Sequence, residues 1–316
     1  MKLAGRLAVL AALLLAAGVA LGCGGGDGGS SVELLIIDQN ILHGLIDEDP
    51  EAEPSDRFAE RIELLATALA DAQPDVIMLQ EVRSDGDPSV GYPVARDVLL
   101  DALGAEYTAA FGNFLGEAID TDGLGQLTIT RLPVVSSGNR SVSAIRSAVH
   151  VAVQTDLGVV DLYNVHLEGT GAVLDVEGDA SVVEIDNVID FINETRSGTG
   201  PVIVAGDFNA EPDDLSIREF VEEGGFIDTL AEAGDASCES AGDAGCSSNT
   251  IPLGDNAENL TDHRIDYIFV LPGEGVDIEV VSADRFQDEP VEIGGGRLLW
   301  LSDHIGMQAV VRLREK

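Results

Sequence analysis

The residues with the most chemical promise stand at the ends of apolar runs. Residues 201–210 read Pro-Val-Ile-Val-Ala-Gly-Asp-Phe-Asn-Ala, a buried strand running into Gly206. Beyond it, Asp207 and Asn209 project to one side and Phe208 to the other, by the two-residue period of an extended chain. A carboxylate and an amide so spaced can together hold a nucleophilic water and a phosphoryl oxygen. The same residue types also make ordinary turns, so the segment gains weight only from its companions. Asp38-Gln39-Asn40 closes the first apolar run, and residues 75–81 deliver Glu81 at a run's end. Residues 164–167 deliver His166, residues 264–268 present Asp266, and Ser302-Asp303-His304 precedes the last run. Carboxylates gathered in this way suit a hard divalent cation, and a carboxylate beside His304 makes an acid–base pair.

The elements that must position these groups follow from the apolar pattern. Residues 32–37, 76–79, 128–130, 149–153, 159–165, 202–205, 265–270, 278–282 and 305–312 read as strands. Residues 56–72 read as a helix capped by Ser55, with Phe58, Ile62, Leu65 and Leu69 on one face, ending before Gln73-Pro74. Residues 94–103, 182–194 and 215–222 read as helices too. Strands outnumber helices, and helices separate only some of them. The pattern therefore predicts two sheets with helices outside, in a single domain over residues 32–316.

Charge narrows the function. The chain carries 57 acidic and 17 basic side chains, a formal charge of −40, so binding through a basic patch is excluded. Such a surface repels polyanions over roughly 10 Å in dilute salt, and a nucleic-acid substrate would need a bound cation to approach. Lysine occurs only at Lys2 and Lys316, which excludes a phosphate-binding GxxxxGK[ST] loop and a Schiff-base mechanism within the fold. No GxSxG segment offers a serine nucleophile.

Residues 1–22 have the basic start, short apolar stretch and small-residue end of a secretory signal. The apolar stretch, residues 7–22, falls short of the roughly 20 residues that a membrane-spanning helix needs. Cys23, followed by a Gly/Ser-rich tether to residue 31, resembles the lipid-attachment site of a bacterial lipoprotein, with Leu21 one place later than usual. Export predicts an oxidising compartment, where Cys238 and Cys246 would close a short disulfide; a metal site at this pair would lack further ligands.

Taken together, the Asn40 strand end, Leu79-Gln80-Glu81, His166-Leu167, Gly206-Asp-Phe-Asn209, Arg264-Ile-Asp-Tyr267 and Ser302-Asp-His304 resemble the endonuclease/exonuclease/phosphatase superfamily. That group includes DNase I-like nucleases, bacterial neutral sphingomyelinases and inositol polyphosphate 5-phosphatases. The resemblance spans residues 32–312. It implies an α/β (α+β) fold of two packed mixed β-sheets flanked by helices, a four-layer DNase I-like sandwich. It also implies hydrolysis of a phosphate ester by water with Mg²⁺, or Mn²⁺ or Ca²⁺ in its place.

Residue by residue, the resemblance makes Glu81 the metal ligand, assisted by Asn40, with Asp303 beside them. His304, oriented by Asp266, would activate water or sit as a cation on the phosphate, and both roles stay open. Asp207 would orient or deprotonate the water, Asn209 would donate to a phosphoryl oxygen, and His166 would bind phosphate or protonate the leaving oxygen. Some relatives place a second metal-associated carboxylate two residues after the asparagine. Leu42 occupies that position here, which favours one metal.

His150 and His263 are read as structural or solvent-facing, Arg264 as scaffolding and Asp262 as a solvated turn residue; Arg146, which could reach phosphate or pair with a surface carboxylate, is left outside the core site, and His43, just past Asn40, is given no role. The expected protein is an exported monomer, membrane-anchored or secreted, acting as a phosphodiesterase or phosphatase. Nucleic acid is the leading substrate; a phospholipid or a small phosphate ester is the alternative. A single tryptophan, Trp300, leaves no evident aromatic hairpin for membrane insertion. A reading from another class, an inactive binding module, would predict losses among Glu81, His166, Asp207, Asn209, Asp266 and His304, and all are present.

Overall fold

The computed structural model describes residues 29–42, 57–85, 93–168, 180–234, 236–248 and 261–316. The signal stretch, Cys23, His43 and Ser55 lie outside the described residues. The strands are β1 (Ser31–Asn40), β2 (Val76–Arg83), β3 (Thr108–Asn113), β4 (Leu124–Thr130), β5 (Val134–Ser141), β6 (Ser147–Thr155) and β7 (Gly158–His166). They continue as β8 (Val202–Asp207), β9 (Ile227–Asp228), β10 (Asp266–Leu271), β11 (Val276–Phe286), β12 (Val291–Glu292), β13 (Leu298–Leu299) and β14 (Gly306–Glu315). The helices are α1 (Phe58–Ala72), α2 (Ala95–Leu103), α3 (Ala180–Thr195), α4 (Leu215–Glu222) and α5 (Thr229–Ala233).

Two six-stranded mixed sheets carry the fold, in the orders β11-β14-β1-β2-β4-β3 and β5-β6-β7-β8-β10-β9. Because side chains alternate across a strand, each central strand feeds two cores. Ile36, Val76 and Met78 pack inward with Val151, Leu162, Ile203, Ala205 and Val311, between the sheets. Ile37, Ile77 and Leu79 point outward onto α1 and α2. Tyr163, Val165, Val202 and Val204 do the same toward α3 and α4. Burial on both faces explains why these strands read as unbroken apolar runs. The four-layer α/β expectation holds. Among the described residues no helix is long and apolar enough to cross a membrane.

Each sheet contains one central parallel pair, β1–β2 and β7–β8. A parallel pair needs a crossover, which α1 and α3 supply. The C-terminal ends of these four strands therefore lie on one side of the sandwich, and they carry Asn40, Glu81, His166 and Asp207.

The strands at 108–113 and 134–141 were not expected. β5 is an edge strand, exposed along much of its length, and its Val-Val-Ser-Ser-Gly-Asn-Arg-Ser sequence has no apolar alternation. Helix α1 begins later than its pattern suggested: Arg57, in a left-handed conformation with no side-chain cap, precedes Phe58. Its apolar face also holds a buried arginine, Arg61, which donates to the carbonyls of Ile41 (2.8 Å), Leu42 (2.8 Å) and Leu301 (2.7 Å). Arg61 thus ties the chain just after Asn40 to the chain just before Ser302.

Candidate active site

Register alone sets three groups side by side. In the second sheet His166 is opposite Asp207 and Asp207 is opposite Asp266, across β7, β8 and β10. Gly206 makes this row possible: a Cβ there would stand 1.9 Å from the Val165 carbonyl oxygen, forcing β7 and β8 apart. In the first sheet Asn40 is opposite Gln80, and a β-bulge between Leu79 and Val82 follows. At the bulge Glu81 adopts a left-handed backbone (φ 57°). Such a conformation costs a non-glycine residue about 1–2 kcal/mol, and bulges commonly re-aim a side chain beside a site. Asn209, just after β8, is left-handed as well (φ 48°).

The two sheets meet at Asn40. Its Nδ2 donates to Asp207 Oδ2 (3.0 Å) and to Glu81 Oε1 (3.2 Å), bridging two carboxylates from opposite sheets. Asp207 Oδ2 also lies 3.5 Å from His166 Nε2 and 3.8 Å from His304 Nε2. The other ring nitrogen of His304 faces both oxygens of Asp266, at 2.9 and 3.1 Å. Asn40, Glu81, His166, Asp207, Asp266 and His304 thus form one connected cluster, buried apart from the partly exposed Glu81 and His304.

Two predicted site residues stand differently. Asn209 uses its amide to hold the Leu167 carbonyl (2.9 Å), while its backbone N–H donates to Asp207 Oδ1 (2.9 Å). It fixes the ends of β7 and β8 together. Asp303 accepts from Ser302 Oγ (3.2 Å). It acts on His304 through its charge.

The electrostatics follow from crowding. Burial raises Asp207, Asp266 raises it further, and the opposing pulls of His304, Asn40 and the Asn209 N–H leave it at about 7. Burial alone would lower His304, but the charge and hydrogen bond of Asp266, with Asp207 and Asp303, outweigh it and hold the imidazole well above its usual range. Below the site, Asp38 is wholly buried and pushed well up by burial and by Asp266. Its Oδ1 accepts from Gln80 Nε2 (2.8 Å), which also reaches Asn164 Oδ1 in the second sheet (2.9 Å).

These donors fit a divalent cation. Carboxyls pushed up by one another mark negative charge that a cation would relieve. Asp207, Asp266 and His304 each place a ligand atom within 4.8 Å of the others. Asp266, however, is engaged by His304 and also accepts from Ser247 Oγ (2.7 Å). Glu81 and Asp207, bridged by Asn40, are the oxygen donors best suited to a hard ion.

Of the histidines set aside, His150 and His263 stand outside the cluster. His150 is buried against Asp161 (2.8 Å), and His263 pairs with Glu211 (2.7 Å) at the surface. Arg264 is a buried scaffold on Asp228 (2.6 Å). Arg146 lies over the Phe114 ring, whose edge meets His166. Ser247 is a contact that the sequence motifs did not announce, and Asp38 stood in them only as a neighbour of Asn40. Cys238 and Cys246 are joined in a disulfide.

Fold and site together define a class. The sequence profile of the Endonuclease/Exonuclease/phosphatase family matches residues 39–304, and the chain belongs to that family of phosphoesterases. It is 25% identical over 305 residues to a putative neutral sphingomyelinase of Drosophila melanogaster, covering 89% of this chain and 62% of that relative's length. In structure it is similar to an endonuclease/exonuclease/phosphatase family protein of Bacteroides thetaiotaomicron (TM-score 0.68, 17% identity, 90% of this chain and 96% of the other). It is also similar to the mannosyl-6-phosphatase Bt3783 of the same species (TM-score 0.67, 17% identity, 88% and 99%). A third similar structure is D. rerio TDP2 complexed with single strand DNA product (TM-score 0.62, 19% identity, 88% and 98%). At these identities the likeness is one of fold.

Proposed function

We propose that this chain is an exported, divalent-cation-dependent hydrolase that cleaves phosphodiesters with water as the nucleophile. The observation that carries this reading is the position of the Asp207 carboxylate, in reach of Asn40, His166 and His304 at once. Glu81, with Asp207 and Asn40, would hold Mg²⁺ or a similar ion, which when bound neutralises phosphate charge. Asp207, in reach of Asn40 and both histidines, orients the attacking water and takes its proton. His304, kept cationic by Asp266, faces the developing charge on the phosphoryl oxygen. His166, on the other side of Asp207, serves the leaving oxygen.

Nucleic acid is the first substrate to consider, approached through the cation because the chain itself carries a charge of −40. A phospholipid is the second, given the name of the fruit-fly relative. Export is supported by the Cys238–Cys246 disulfide, a bond that persists in oxidising compartments. A lipid on Cys23 would then hold the domain at a membrane. Plasmid DNA, phosphocholine lipid vesicles and bis(4-nitrophenyl) phosphate, each assayed with Mg²⁺ and with EDTA, test the reading. Cation-dependent release from at least one is expected; no release from any, or release indifferent to EDTA, contradicts it.

A further inference from the structure

The loop that precedes Asp266 in sequence reaches into the site. Ser247 is wholly buried, and its hydroxyl has three fixed partners. It donates to Asp266 Oδ2 (2.7 Å) and accepts from the backbone N–H groups of Asp266 (3.1 Å) and Ile265 (3.2 Å). With its donor and both acceptor sites used, the hydroxyl has one orientation. The Ser247 backbone is held as tightly: its N–H donates to the His263 carbonyl (2.7 Å), and its carbonyl accepts from Ile305 N–H (2.6 Å). Ser248 continues this insertion, bridging His263 and His304 in antiparallel fashion, with Oγ 3.4 Å from His304 Nε2. Residues 247–248 thus lie between the two segments that carry the Asp266–His304 pair.

What fixes them is the neighbouring residue. Cys246, fully buried, is bonded to Cys238, with 4.9 Å between the Cα atoms. The enclosed loop is further closed by Gly245 N–H to the Ser237 carbonyl (2.9 Å) and Cys246 N–H to the Asp243 carbonyl (3.0 Å). Arg285 on β11 anchors it from outside, through the carbonyls of Gly242 (3.3 Å) and Asp243 (3.1 Å). The covalent link therefore ends one residue before the hydroxyl that touches Asp266.

We propose that Ser247 is a positioning residue of the hydrolysis, and that the Cys238–Cys246 bond serves to hold it against Asp266. The inference rests on the proposed function for its kinetic readout. Ser247 fixes the plane of the Asp266 carboxylate, and that plane aims the His304 ring, just as outer-shell partners orient ligands and bases elsewhere. Ser247 touches neither substrate nor cation.

The full chain is compared as wild type, Ser247→Ala, Ser247→Thr and the Cys238→Ser/Cys246→Ser double variant, with the double variant also made on Ser247→Ala. Turnover of bis(4-nitrophenyl) phosphate with Mg²⁺ is one readout. The downfield N–H proton resonance of His304, held by Asp266, is the other and needs no catalysis. Ser247→Ala is expected to lower kcat roughly 10- to 100-fold with KM little changed, and to move or broaden that resonance. Ser247→Thr, which keeps the hydroxyl, should restore both. Loss of the disulfide should lower kcat in the wild type and add little in the Ser247→Ala background, as coupled sites do. An unmoved resonance in Ser247→Ala, unchanged kcat, or a disulfide effect equally large in both backgrounds overturns the inference. A wild type without cation-dependent turnover counts against the proposed function instead, and the resonance still decides the role of Ser247.

Discussion

Replacing His304 with alanine is expected to remove nearly all cation-dependent hydrolysis, by roughly 10²–10⁴-fold in kcat, while the protein stays folded. The side chain stands between two carboxylates, Asp266 at 2.9 Å and Asp207 at 3.8 Å, and its removal leaves both without their cationic partner. It contributes charge at the point of chemistry and little to the core, since the layers between and outside the sheets are aliphatic and aromatic. Steady-state turnover measured beside circular dichroism checks the result. Near-normal turnover in a folded variant would remove His304 from the mechanism.

Asp207→Asn is expected to cost a similar factor, and it carries a second signature in the cation-free protein. The folded pKa of Asp207 is raised from 3.8 to about 7. Between those values the unfolded chain gives up a proton that the folded chain keeps, so this group makes stability fall as pH rises through that window. The effect is on the order of a few kcal/mol across the window, each tenfold change in proton affinity being worth about 1.4 kcal/mol. Asparagine cannot titrate. Denaturant melts in EDTA should therefore show a shallower loss of stability from pH 4 to pH 7 in the variant than in the wild type. Equal slopes would mean that Asp207 is ionised in the folded protein without help from a cation.

Much of the site was legible because its residues sit where strands end. Strands buried on both faces of a sheet are mostly apolar, so a polar group directly after such a run, like Asp207 after Val-Ile-Val-Ala-Gly, is conspicuous. The same contrast exposed Glu81 and His166. Two sheets with helices outside followed from the count of such runs and from helices that separate only some of them; the four-layer sandwich came from the family resemblance. β5 stayed hidden because an edge strand facing solvent needs no apolar alternation. Ser247 stayed hidden for another reason: serine is common in loops, and its bond to Asp266 spans 19 residues. Arg61 was concealed inside an amphipathic helix, whose charges ordinarily lie on the polar face; three backbone carbonyls bring it inside. Asp303 shows the converse. Its motif is conspicuous, yet its hydrogen bond is to the adjacent Ser302 and it acts on His304 through its charge.

The central claim is that strand ends from both sheets converge on one place where water attacks phosphorus. Hydrolysis of a phosphodiester in ¹⁸O-labelled water with Mg²⁺, under single-turnover conditions, tests it most directly. The account predicts one labelled oxygen in the phosphoryl product and none in the released alcohol. Label in the alcohol, or none in the phosphoryl product, would show that the bond is broken by some other route.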